Sequence, residues 1–405
     1  MTRWFGPTWL GRGIVGIVLA TFFSDVAHEM ATATLPLYLQ TIGFGAAALG
    51  VMEGFADLLF SLSKLVGGWV GHHTEHKRRW GSLGYLVTAL GTASLALMQT
   101  FTGLLAARSI AWLGRGFRAP LRDCMLADEV GPTHFGRAYG VERAADMLGA
   151  VAGPLLAALL IAFGVGVSSI ILLTLVPALV AVLSFFSLTR DRPVADDAPT
   201  TSASLRLPRR FWLYLTGVTL FGLGDFSRTF LILLAAATFA HGTGSTPSTL
   251  SVPVLLYAVH NAISAAAAYP AGRLGDRGSK LRVLAGGYAL GVVTNILLAF
   301  SSGAPALLVL AIMCSGVYLA TEETLEKAVA AEILLREQRS LGFGVLAAAN
   351  AVGDMASSVT VGLLLSAGHT VLAFLLPAGM GLLGTLWMVH LGRSEAPMLE
   401  PARSA

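Results

Sequence analysis

Apolar runs of roughly twenty residues alternate with short polar breaks along almost the whole chain. A helix needs about 20 residues to cross a bilayer core, so the runs read as spans. They lie near 13 to 39, 47 to 69, 81 to 99, 102 to 121, 138 to 163, 168 to 188, 211 to 239, 249 to 271, 283 to 301, 304 to 327, 341 to 366 and 369 to 391. Every second connection (40 to 46, 100 to 101, 164 to 167, 240 to 248, 302 to 303, 367 to 368) lacks Lys and Arg. The intervening ones carry clusters such as Lys77, Arg78 and Arg79, or Arg273, Arg277, Lys280 and Arg282. The positive-inside rule then predicts an even number of spans with both termini in the cytoplasm, and twelve satisfies every loop. The one long hydrophilic connection, 189–210, reads as a flexible cytoplasmic linker between an N-terminal six-helix bundle, 1–188, and a C-terminal one with a short tail, 211–405.

The halves also resemble each other at a fixed offset of 204 positions. Gly68 corresponds to Gly272, Ala127-Asp128 to Ala331-Glu332, Gly140-Val141 to Gly344-Val345, and Ala144, Ala145 and Gly149 to Ala348, Ala349 and Gly353. The expected fold class is an all-α polytopic membrane protein whose twelve transmembrane helices form two pseudo-symmetric six-helix bundles. Parallel repeats of this kind put a substrate site near the midplane between them.

Composition agrees. Of 405 residues, 55% are hydrophobic and 12% charged, with a mean hydropathy of +0.72, where a soluble domain carries about 25% charged residues. An ordinary soluble enzyme is excluded. The net charge of +4 comes with no basic patch interleaved with aromatics, so it reads as topology and no nucleic-acid partner is expected. Cys124 and Cys314 are not expected to form a disulfide. The first apolar run contains Asp25, His28 and Glu29 and no clean cleavage site, so it reads as a retained helix.

Two motifs carry a resemblance that covers essentially the whole chain. Gly272-Arg273-Leu274-Gly275-Asp276-Arg277-Gly278, after span 8, is similar to the loop motif of the major facilitator superfamily. The first-half copy, beginning at Gly68, has His72 where that family has Asp. In span 5, Gly140, Gly149 and the pair Gly153-Pro154 resemble the antiporter signature of the family's drug/proton exporters, with Ala157 and Ala158 in place of its terminal glycines. Small residues at this spacing let helices approach closely, and Pro154 bends the span, so a tight interface between the halves is expected.

An ionisable group at the bilayer centre costs about 2.5 kcal/mol or more, so each one inside a span is a functional candidate. Span 1 carries Asp25, His28 and Glu29 on one face, and span 2 carries Glu53, Asp57, Ser61 and Lys64 on one stripe. Spans 1 and 2 run antiparallel through a short loop. Counting about 1.5 Å per residue, this sets Asp25 level with Asp57 near the midplane and Glu29 level with Glu53 a turn further out. A ladder of carboxyls that holds and releases protons is expected, with His28 in the relay. Interhelical hydrogen bonds and ion pairs are the other reading.

Candidates for the substrate cavity are Arg108, Asp146, Asp225, Arg228, His260, Asn261, Tyr318, Asn350 and Asp354. Asp225 and Arg228 read as a mutual ion pair, and Arg108 as neutralising the acids of spans 1 and 2. Asp57 aligns with Asn261 and Asp146 with Asn350, so proton handling is expected in the first half. At the same offset Arg118 corresponds to Glu322, Arg122 to Glu326 and Asp123 to Lys327. These opposite charges are expected to latch the cytoplasmic ends of spans 4 and 10 as three pairs, with Asp276 and Arg277 as further gate candidates. Solvated helix ends that serve topology alone are the alternative.

The expectation is a secondary transporter working by alternating access, probing the two sides in turn and coupling protons to export of small amphipathic organic compounds. The alternative is a proton-coupled importer of a small polar or anionic solute. No compact nucleophile or metal-ligand set lies on a water-exposed loop and no sizeable soluble domain is seen, which argues against a membrane enzyme or a receptor. His72, His73, Glu75 and His76 sit in a short basic turn and are not expected to hold a metal. No cofactor is expected. The partners would be the substrate, protons and the lipid bilayer, around a monomer in the plasma (inner) membrane.

Overall fold

A computed structural model describes residues 9–44, 46–192, 206–226 and 252–394, with a few positions between 230 and 238. Arg228, the loop 240 to 248 and most of 189–210 lie outside the described residues. The described residues form twelve helices: α1 (Arg12–Thr41), α2 (Ala46–His73), α3 (Lys77–Ser94), α4 (Phe101–Glu129), α5 (Phe135–Ala162), α6 (Val167–Leu173, continued as Leu175–Leu188), α7 (Arg209–Gly222), α8 (Val252–Arg277), α9 (Lys280–Ala299), α10 (Pro305–Ile333), α11 (Arg339–Ser366) and α12 (Thr370–Ser394). Eight of them are long and apolar enough to cross a membrane on that criterion alone. Helices α2 and α4 are not among the eight, and they are the two that carry Glu53, Asp57 and Lys64 or Arg108, Arg115, Arg118 and Arg122.

Local chemistry sets the ends. The Thr100 hydroxyl accepts from Gly103 N at the start of α4, and Ser279 accepts from Arg282 N at the start of α9. Gly43, Gly164, Gly303 and Gly368 take positive φ in turns on the side away from the arginine clusters, where a side chain would be strained.

The two halves pack alike. α1 lies on α5 and α6, and α4 on α2 and α3; the same pairings recur as α7 on α11 and α12, and α10 on α8 and α9. Each half is thus a six-helix bundle related to the other by pseudo-symmetry, as the 204-residue offset implies.

At the arginine-rich end one apolar cluster runs through both halves, from Tyr85, Phe135 and Tyr139 to Tyr214, Tyr288 and Phe343. Tyr139 and Phe343 meet edge to face across the boundary, centroids 6.1 Å apart. Towards the opposite end the clusters separate. One, around Leu35, Tyr38 and Leu104, belongs to the first half, and another, around Leu308, Ile312 and Phe374, to the second.

Glycines explain the close approach. A β-carbon on Gly272 would overlap the carbonyl oxygen of Gly136, and one on Gly140 would stand 2.6 Å from the carbonyl oxygen of Ala268, so α5 and α8 touch backbone to backbone. The related seam joins α2 to α11, where a β-carbon on Gly68 would lie 3.0 Å from Gly344 Cα. The span 5 motif is therefore divided. Gly140 faces the other half, but Gly149 and Gly153 pack on α1 within their own half, against Asp25 and Glu29. Spacing revealed a close-packing helix, while the partner of each glycine depended on which side of α5 it occupied.

Candidate functional site

Helix α2 barely touches α1; it packs on α4 and, across the boundary, on α11. This changes the carboxyl ladder. Instead of acid facing acid, α4 places Arg108 between the two helices. Glu53 pairs with Arg108 at 2.9 Å, and Arg108 also donates to Thr32 at 3.4 Å. Asp25, 4% exposed, accepts from Arg115 Nη2 at 2.5 Å. Asp57 is exposed and joins neither pair. Arg108 is thus paired with one acid, Glu53, rather than with a ladder.

Asp25 meets a different carboxyl. Its side chain lies in hydrogen-bond reach of Asp146 on α5, because Gly149, one turn further along α5, lets α1 approach. Asp146 in turn holds Arg143. Arg143 reaches across the boundary to Glu323 on α10, at 2.6 Å from Nη1 and 2.8 Å from Nη2. His28 is buried edge-on against the Trp112 ring, centroids 5.1 Å apart, and Glu29 has partners of its own.

The second-half candidates form their own network. Tyr318 donates to Asp225 at 2.9 Å, and Asn350 and Tyr288 donate to Glu326 at 2.6 and 2.5 Å. His260 bonds Asn261 and Ser315 inside the bundle, at 3.2 and 3.1 Å. Asp354 of α11 faces Lys64 of α2 across the boundary, and Lys64 lies over the Phe60 ring at 4.0 Å. Asp225 and Asp354 have further partners, while the expected Asp225–Arg228 pair lies outside the described residues.

Of the three symmetry-related gate pairs, the structure forms one. Lys327 stands 3.5 Å from Asp123. Arg122 turns instead to Asp123 and Glu142, both at 2.8 Å, and Arg118 donates to Ser24 at 2.6 Å while stacking over Tyr85 at 3.7 Å. Glu322 and Glu326 stay buried within the second half. Two facing arginines with nearer acids and rings in their own bundle have no reason to reach further. Other residues complete the closure: Asp128 pairs with Arg336 and Arg339 at 3.1 and 3.2 Å.

The loop-motif acid has a defined task. Asp276 accepts from Gly136 N and Arg137 N at 2.8 and 2.9 Å, so its carboxylate satisfies free amides at the start of α5. Arg277 is exposed at the end of α8. His72, the counterpart of Asp276, bonds the carbonyl of Glu337 just before α11, at 2.9 Å. A carbonyl accepts, so the imidazole donates there; the replacement of an acid by His72 is matched by an inverted hydrogen bond.

Arg115, Glu142, Arg143 and Glu323 are the site residues that the sequence reading did not name. Each is an ionisable group in or at the end of a span, the signal that singled out Asp25.

On α2, Asp57 is exposed and the Glu53 side chain keeps 30% exposure. The arrangement is a polar core between two bundles that one apolar cluster joins at the arginine-rich end.

Comparison with known proteins agrees with this architecture. The chain is 26% identical over 350 residues to an uncharacterised protein of Mycobacterium tuberculosis, covering 83% of this chain and 81% of that one. It is 24% identical over 288 residues to an uncharacterised MFS-type transporter of Methanocaldococcus jannaschii, covering 70% and 72%. A shorter stretch, 148 residues or 35% of each chain, is 30% identical to the multidrug resistance protein MdtG of Serratia proteamaculans. The fold matches the human organic anion transporter MFSD10 with a TM-score of 0.75 over 95% of this chain and all of that one, at 17% identity. It matches the E. coli fucose:proton symporter with a TM-score of 0.73 over 93% and 98%, at 13% identity. The Major Facilitator Superfamily model matches residues 17–233 and 221–404. With the family model spanning both bundles, the chain belongs to the Major Facilitator Superfamily, a class of secondary transporters.

Proposed function

We propose that the protein is a proton-coupled exporter of small amphipathic organic compounds. The observation that carries the coupling is the buried Asp25–Asp146 contact. Two carboxyls in hydrogen-bond reach do not both ionise, so the pair is suited to sharing a proton, with Arg115 on one side and Arg143 on the other. Exposed Asp57 and partly exposed Glu53 are the acids through which protons would reach the pair. The partial likeness to a multidrug resistance protein supports export.

In this reading the protein works as a monomer in the plasma membrane, with residues 189–210 as the linker and the arginine-rich end in the cytoplasm. Reporter fusions after residues 245 and 405 should report outside and inside; the same side for both would refute the orientation. Coupling is tested with purified protein in liposomes. A thermal-shift screen identifies compounds that bind, and an imposed pH gradient should then drive their counter-transport. Flux of a binding compound that is indifferent to the gradient would remove the proton from the cycle.

A further inference from the structure

Among the described residues, Arg143 touches Asp146 of the carboxyl pair and, at Glu323, the opposite half of the molecule. It is 7% exposed, and its guanidinium is divided between Asp146 of its own helix and Glu323 of α10. Two acids on opposite sides of a moving boundary compete for one cation. With a single shared proton, Asp25 and Asp146 together carry one negative charge, and Arg115 is already committed to Asp25. When that proton leaves, the pair carries two negative charges and Glu323 still one. The balance of attraction on Arg143 shifts towards its own half.

We propose that Arg143 is the positioning residue through which proton occupancy of the Asp25–Asp146 pair controls closure of the arginine-rich end. With the proton present, Arg143 is held to Glu323 and the halves stay together there. With it lost to water, Arg143 is drawn to Asp146 and the bridge to α10 weakens. The closed form therefore binds the proton more tightly than the open form, and by linkage its population falls as pH rises. This inference rests on the proton-coupled reading above and adds the route by which the proton is felt by the second half.

The surrounding charges leave Arg143 in this position. On α4, Arg122 is engaged by Asp123 and Glu142, and Arg118 by Ser24 and Tyr85. On α10, Lys327 is engaged by Asp123 and Glu142, and Glu322 and Glu326 lie within the second half. From α2, Lys64 stands near both Asp354 and Glu323, and from α10 Lys327 is a further cation near Glu323. On α8, His260 is tied to Ser315 and Asn261. From α1, Glu29 has other partners, and His28, against Trp112, is the other titratable group beside the pair.

The test measures conformation rather than transport, so it needs no known substrate. Spin labels at Glu75→Cys and Leu335→Cys, both exposed and on opposite halves of the arginine-rich end, report its closure in full-length protein in lipid nanodiscs. In the parent protein the ratio of closed to open should fall with rising pH, by up to about tenfold per unit, the limit for one proton. Arg143→Gln should reduce that slope to less than about twofold per unit. Glu323→Gln, which leaves the carboxyl pair intact, should do the same, and Arg143→Lys should restore part of it. His28→Asn should keep the slope. A parental slope retained in folded Arg143→Gln or Glu323→Gln overturns the proposal, as does its loss in His28→Asn, which would give the proton to the imidazole. A parent protein whose distances ignore pH overturns the proton-coupled reading itself.

Discussion

Asp25→Asn should abolish transport driven by a pH gradient while leaving folding and ligand binding largely intact. Asp25 is buried to 4% exposure, accepts from Arg115 at 2.5 Å and meets Asp146. Asparagine keeps the shape and can still accept from Arg115, so the packing of α1 on α4 and α5 survives. It cannot gain or lose a proton, and the remaining carboxyl, Asp146, then sits between Arg143 and Arg115 with no acid to share with. General acid–base groups contribute about 10²–10⁴-fold to the steps they serve, and here the proton is the driving species, so gradient-driven flux should fall to background. Exchange of labelled for unlabelled substrate without a gradient should persist. Asp57→Asn should have a much smaller effect, since Asp57 is exposed and outside the Arg115 cluster. Undiminished gradient-driven flux in the Asp25 variant would assign the pair a purely structural role.

The second large effect is expected from Gly272→Leu. A β-carbon at this position would overlap the carbonyl oxygen of Gly136, and no side-chain rotation relieves a clash with backbone. Overpacking costs about 1–3 kcal/mol even where neighbours yield, and ~3 kcal/mol changes the ratio of two states by roughly a hundredfold. The contact joins the two halves, so each bundle can keep its own packing while α5 and α8 part at the arginine-rich end. The Glu75–Leu335 label distance should lengthen, and turnover should fall because the closed form is rarely reached. Gly286→Leu on α9, where a β-carbon meets nothing within 4 Å, is the matched control and should change neither. An unaltered distance in the Gly272 variant would mean that the α5–α8 contact is not part of the moving boundary.

Much of the architecture was legible because a bilayer imposes a length on each span and a charge bias on each loop, and both are linear properties of a chain. The 204-residue repeat was legible for the same reason: Gly68 and Gly272, or Gly140 and Gly344, are matched by counting. Asp25 and Arg108 stood out because charge in an apolar run is conspicuous. Their partners did not, because pairing depends on rotation about each helix axis and on which helices are neighbours. Sequence adjacency suggested that α1 faces α2, whereas α4 and α5 are its polar neighbours, and Asp25 found Arg115 and Asp146 instead of Asp57. The glycines of α5 illustrate the same point, with Gly140 on one seam and Gly149 and Gly153 on an internal one. The gate charges failed to meet in two of three places because nearer partners, Glu142 for Arg122 and Ser24 with Tyr85 for Arg118, lay in the same bundle.

Two of the fastenings at the arginine-rich end differ in kind. At α5 the Asp276 carboxylate, fully shielded from solvent, sits on the free amides of Gly136 and Arg137. At α11 the charged fastening is Asp128 with Arg336 and Arg339, and the Arg336 side chain is 35% exposed. Dissolved ions screen an exposed pair over a distance of about 8 Å at physiological ionic strength, and they do not reach a buried cap. Added salt therefore weakens the Arg336 contact and spares the Asp276 cap. In concentrated brine the boundary would hold by its buried members, the Asp276 cap and the Gly136–Gly272 backbone contact among them, while the Arg336 contact slackens first.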